Sequence, residues 1–167
     1  MGANSGRLRV ERRAADNKYL HRDFHCALDQ GLRYLGELYG DDAVSDFLKK
    51  FAKGFYAPLI AKTRDIGFAA LRQHIAETYV IEEAPDDVAF SETDCELRVR
   101  VSACPAVAYM KSVGHAPSKW YAQTTSTVNE AIADELGCGF QMISYDEETG
   151  AAEYRFFKRE NRGGEHP

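Results

Sequence analysis

Leu20, Phe24, Leu28, Leu32, Leu35 and Tyr39 recur three or four residues apart, the spacing that puts side chains on one face of an α-helix. They predict a first helix over 18–38 that stops at Gly40. Asp41 or Asp42 is placed to cap a second helix whose core face is Val44, Phe47, Leu48, Phe51 and Phe55. Pro58 interrupts that pattern, and Leu59 and Ile60 resume it as far as Gly67. Phe68, Leu71, Ile75 and Tyr79 then form a third helical pattern with His74 beside its apolar stripe.

The period changes after Pro85. Cys95, Leu97, Val99, Val101 and Ala103 alternate with Glu96, Arg98, Arg100 and Ser102, the pattern of a half-buried strand, and residues 88–90 are its partner across the turn-like 91–94. Pro105 suits the first turn of a short helix over 106–113, which makes Cys104 its N-cap. A loop at 115–118 leads to a longer helix with Tyr121, Thr124, Thr125, Val128, Ile132 and Leu136 inward and Gly137 as its stop. Residues 140–145 and 152–157 read as two strands around the turn 146–150. The order predicts an α+β domain: N-terminal helices followed by an antiparallel sheet of about four strands in β-β-α-α-β-β order, with helices packed on one face.

A chain of 167 residues suits a single domain, expected over 18–158. Residues 1–17, with Arg7, Arg9, Arg12 and Arg13, are expected to be a disordered basic lead, and residues 159–167 a disordered tail. The four cysteines, Cys26, Cys95, Cys104 and Cys138, include no Cys-x-x-Cys pair, so neither a zinc knuckle nor a disulfide framework is expected. With no secretory signal and no long apolar run the expected location is cytoplasmic, with free thiols and no membrane contact. The net charge of −5 argues against nucleic acid as a partner.

Cys104 is the most suggestive residue for chemistry. An N-cap thiol faces unpaired backbone N–H groups and the positive end of the helix dipole, which favour thiolate; the plainer reading is a small buried residue before a proline. His21 and His25, one helical turn apart, suit proton transfer or two ligands of a metal ion, but no third ligand stands near them and no metal or other cofactor is assigned. Their plainer reading is a pair bordering the core. Arg98 and Arg100 share the polar strand face, as a carboxylate clamp or as ordinary cross-strand ion pairs. Tyr121, Thr124 and Thr125 could hydrogen-bond a ligand or simply pack. His74 reads as a core-edge residue, His115 as solvated, and Phe47, Phe51, Phe55 and Tyr56 as core.

The segments Tyr19-Leu20-His21-Arg22-Asp23-Phe24-His25, Tyr34-Leu35 and Tyr39-Gly40 resemble the L-2-amino-thiazoline-4-carboxylic acid hydrolase family with its uncharacterised bacterial relatives. So do Phe55-Tyr56-Ala57-Pro58-Leu59-Ile60, Val99-Arg100-Val101 before Cys104-Pro105-Ala106-Val107, and Tyr121-x-x-Thr124-Thr125-x-Thr127-Val128-Asn129-Glu130-Ala131, a likeness spanning roughly 18–158. The order of elements is also similar to that of vinyl-reductase-type ligand-binding domains. The resemblance implies a small-molecule hydrolase that opens a C–N bond of a cyclic amidine or amide. Chemistry then assigns Cys104 as nucleophile or water positioner, His21 or His25 to proton transfer, and Arg98 or Arg100 to a substrate carboxylate. The competing expectations are a non-catalytic sensor with a pocket between helices and sheet, and an interaction module that forms a homodimer through a sheet edge or an aromatic patch.

Overall fold

A computed structural model describes residues 18–159, with side chains for Arg22 and from Phe24 onward. The expected lead at 1–17, the tail from residue 160 and the His21 side chain lie outside the described residues; Arg159 is described and bonds Asp134. Four helices come first: α1 (Lys18–Tyr39), α2 (Asp41–Phe55), α3 (Ala57–Ile66) and α4 (Phe68–Ile81). Then follow β1 (Val88–Glu92), β2 (Glu96–Val101), α5 (Pro105–Ser112), a 3₁₀ turn at Tyr121–Thr124, α6 (Ser126–Leu136), β3 (Gly139–Tyr145) and β4 (Ala152–Phe157). This is the predicted α+β order, with the strands in one antiparallel sheet arranged β1-β2-β4-β3.

Alternation along the strands decides which face is buried. Leu97, Val99 and Val101 of β2 pair with Phe156, Tyr154 and Ala152 of β4, and these six side chains are buried together. Phe90 of β1 and Phe140 of β3 extend the same layer, and α4 and α6 pack against the sheet, with α2 and α3 on α6. The other face carries Glu96, Arg98, Arg100, Glu153 and Arg155, cross-linked by ion pairs.

Several local expectations change. The interruption expected at Pro58 is a full break, at Tyr56, and the proline sits in the first turn of α3, where its missing N–H costs nothing. Asp41 and Asp42 do not cap α2, whose N-cap is Gly40 at φ 86° without a side-chain hydrogen bond. Phe47 and Phe55 are exposed, because Val44, Leu48 and Ala52 supply the inward row of α2 and the phenylalanines form an adjacent outward one. Phe24 and Tyr39 of α1 are exposed as well. Tyr121 and Thr124 stand in the 3₁₀ turn, with Thr125 as the junction into α6.

Trp120 locks the helical layer. Its indole N–H donates to Asp41 Oδ1 at 2.6 Å, Lys119 lies 4.6 Å over its ring, and the ring presses on Gly36 of α1 so closely that a Cβ there would sit 2.3 Å from it. Gly36→Ala is therefore expected to destabilise the protein by about 1–3 kcal/mol through overpacking. Gly54→Ala, in an exposed helical position with nothing near its missing Cβ, is expected to stabilise by about 0.5–1 kcal/mol. Urea midpoints of the two variants against the parent read both signs.

Candidate functional site

Beneath the helices, against the inner sheet face, lies a cavity of about 180 Å³. Tyr56, His74 and Tyr79 approach it from the helical layer, Thr125 and Asn129 from the start of α6, and Cys104 and Tyr154 from the sheet side. Among the described residues no Asp, Glu, Lys or Arg contributes to its wall. Tyr154 is only 4 % exposed and lines the cavity, and its hydroxyl makes no hydrogen bond to another described residue. A hydroxyl so placed is open to bond whatever enters the cavity. Half-buried Tyr79 presents a second hydroxyl to the cavity, also without a hydrogen bond to another described residue.

Cys104 follows β2 by three residues and is the N-cap of α5, as its place before Pro105 predicts. Its backbone N–H donates to the Thr149 carbonyl at 2.9 Å, and Gly150 of the β3–β4 turn lies against its side chain, leaving no room for a Cβ there. The thiol makes no regular capping hydrogen bond, yet the N–H groups of Ala106 and Val107 are near enough to favour its ionised form. Burial outweighs them and pushes the thiol pKa up. The activation expected from the helix terminus alone is thus reversed in the resting protein. A charge on Cys104 would be felt by Tyr79, Tyr121, Tyr145 and Tyr154, whose hydroxyls are held protonated by burial first and by that charge second, Tyr145 at about 12.

His25 stands beside this cluster. Its Nε2 lies 2.9 Å from Glu82 Oε1 and its Nδ1 3.2 Å from the Tyr121 hydroxyl. A carboxylate only accepts, so Nε2–H donates to Glu82, and Nδ1 of the neutral ring accepts from Tyr121. Tyr121 packs with Val107, Met110 and Cys104, which makes Glu82, His25 and Tyr121 a hydrogen-bonded line directed at the thiol's surroundings.

A second buried carboxylate holds this arrangement in place. Asp29 of α1, fully buried, accepts from Ser118 N–H at 2.9 Å, from Ser118 Oγ at 2.7 Å and from His115 Nε2 at 2.7 Å. His115 is accordingly a structural anchor rather than a solvated loop residue, since a buried carboxylate needs donors. Arg33 adds a contact at 3.7 Å and donates to the Ala116 carbonyl.

The sequence-predicted residues therefore separate. Cys104, Thr124 and Thr125 reach the cavity, whereas Tyr121 stands outside its wall, packed in the cluster that Cys104 joins, and His25 is bonded to Tyr121 there. Arg98 and Arg100 lie on the opposite sheet face, bonded to Glu96 and Glu153, so they do not share the cavity with Cys104. Glu82, Tyr79 and Tyr154 were missed. Tyr154 had a signal, a polar-tipped residue on the inward parity of β4; Glu82, one of two consecutive glutamates closing a helix, had none. Among the described residues all four thiols are free, and no three His, Cys, Asp or Glu side chains are grouped as metal ligands.

Two measurements check the electrostatics. Burial lowers the His74 pKa below the ordinary 6.5, so folding favours its neutral ring. The stability this contributes is complete above about pH 6.5 and is lost as pH falls through the depressed folded value. The His74 ring resonance is expected to titrate below the denatured-state histidines, and His74→Leu to remove that part of the acid slope in urea midpoints. In thiol labelling at neutral pH, exposed Cys95 is expected to react first and Cys104 to lag until the protein is denatured.

No protein-family model matches the chain, and neither a curated protein nor a solved structure matches it at a significant level. What the chain does is therefore read from the cavity and the side chains around it.

Proposed function

We propose that the protein is a small-molecule hydrolase that opens a C–N bond of a cyclic amide or amidine held in this cavity. The observation that carries the reading is the Glu82–His25–Tyr121 line, whose Tyr121 packs in the cluster that Cys104 joins, beside a cavity lined by Cys104 and by a Tyr154 hydroxyl with no hydrogen bond to another described residue. The resemblance to the thiazoline-carboxylate hydrolases points to the same reaction class. The uncharged wall narrows it: a substrate carboxylate finds no cation there, so the ring itself is what the site recognises.

The residues divide the work as follows. Tyr79 and Tyr154 donate to the heteroatoms of the ring and orient its reacting carbon. The Cys104 S–H proton passes to the Tyr121 oxygen while the Tyr121 hydroxyl proton passes to His25 Nδ1, and Glu82 holds the resulting imidazolium. The thiolate adds to the ring carbon, the C–N bond breaks, and the departing nitrogen recovers the proton from the same line. Water then cleaves the covalent intermediate and returns Cys104 as thiol. The buried, protonated resting thiol fits this scheme, because ionisation is coupled to the relay instead of standing open to solvent.

A second reading, a non-catalytic sensor, is favoured by the raised thiol pKa and the wholly uncharged wall. Incubating the protein with 2-aminothiazolines, hydantoins and small lactams, with ligand-induced thermal shift and product both recorded, separates the two. For the hydrolase, Cys104→Ala abolishes turnover, while His25→Ala and Tyr121→Phe each lower kcat by about 10²–10⁴-fold with binding retained. Binding without turnover in the parent establishes the sensor. Turnover indifferent to all three substitutions removes this site from the reaction.

A further inference from the structure

The outer face of α1 and α2 is not finished within the described chain. Phe24 (51 %), Tyr34 (63 %), Leu38 (56 %), Tyr39 (68 %), Phe47 (43 %) and Phe55 (65 %) are all exposed there. They form one surface. Phe24, Tyr34, Phe47 and Phe51 line a common groove of about 400 Å³, and Phe51 continues to Phe55 through a stacked contact at 5.0 Å. Taking about 200 Å² for a fully exposed large apolar side chain, these six offer on the order of 700 Å². That exceeds the few hundred Å² typical of a monomer's apolar patches and approaches the roughly 800 Å² each partner gives to a standard protein interface.

The pattern within α1 selects the occupant. Phe24, Ala27, Gly31, Tyr34 and Leu38 follow the alternating three-and-four spacing of a coiled-coil seam, and none is charged. The series is symmetric about Gly31 at its ends and within one residue of it at Ala27 and Tyr34. If a second α1 lies antiparallel across it, Gly31 meets Gly31 on the twofold axis, Ala27 meets Tyr34 of the partner subunit, and Phe24 meets Leu38 of the partner subunit, small against large. Gly31 is exposed, and a Cβ on it would meet nothing within 4 Å, so the monomer's own packing gives no reason for a glycine there. At the midpoint of the seam its missing side chain is where two helices come closest.

We propose that this face binds a second copy of the chain, forming a twofold dimer in which the α1 helices pair antiparallel about Gly31, flanked by the Phe47–Phe51–Phe55 ladder of each α2. A C2 contact of this kind is self-complementary and closes on itself, so the assembly ends at two.

Light scattering and sedimentation of the full-length protein test it. The expected mass is twice 18.7 kDa, with a Kd of about 10 μM or tighter. Tyr34→Glu and Phe47→Glu, at exposed positions, are expected to keep the parent's circular dichroism and to weaken association at least tenfold. Gly31→Cys, in a Cys95→Ser background, is expected to cross-link to a disulfide dimer under mild oxidation, whereas Glu130→Cys on exposed α6 is not. A protein monomeric throughout this range overturns the proposal, whatever else covers the face. A dimer indifferent to both glutamate substitutions overturns the choice of surface, and one that the Gly31 cysteine does not cross-link overturns the antiparallel geometry.

Discussion

A carboxylate with no exposure to solvent cannot be left alone, and Asp29 governs much of this structure for that reason. Its oxygens are met by His115 and Ser118 from one distant loop and by Arg33 one turn further along α1. Those bonds bind the loop after α5 to the middle of α1. Once that loop is fixed, Trp120 is committed to the space over Gly36, and Tyr121 to the reach of His25. Breaking such a cluster on one side leaves a buried charge uncompensated, a penalty of several kcal/mol, comparable with the whole stability of a domain this size.

The site inherits its geometry from this anchor and from the sheet. The β3–β4 turn holds Cys104 from one side through Thr149 and Gly150, while the 3₁₀ turn brings Tyr121 from the other. The cavity is consequently walled by rigid elements and uncharged groups. Two opposing effects act on its thiol, the backbone N–H groups at the start of α5 and exclusion from water, and exclusion is the stronger. In the proposed hydrolysis such a thiol depends on a partner that takes its proton, the role given there to half-buried His25, which is bonded to Glu82 and to Tyr121.

The sequence by itself determined the order of elements and the parity of the strands. Period 3.6 and period 2 are local properties, and the inward row of β2 and β4 could be named from alternation alone. Cys104 at the N-cap of α5 was equally legible, since proline in the first helical turn fixes the boundary. Two errors came from the same local view. Apolar stripes on α1 and α2 wider than one buried face were read as core, although periodicity tells which residues share a side and not whether anything covers it.

Only the tertiary structure decided which polar groups meet. Asp29 with His115 and Ser118, and His25 with Glu82, are separated by 86, 89 and 57 positions, and no spacing rule spans such distances. It also decided where Arg98 and Arg100 belong, because a single strand presents two faces and the packing of α4 and α6 chose the other one for the core. The thiol's ionisation was settled in the same way: helix polarity can be read locally, but desolvation depends on every element that closes around the sulfur.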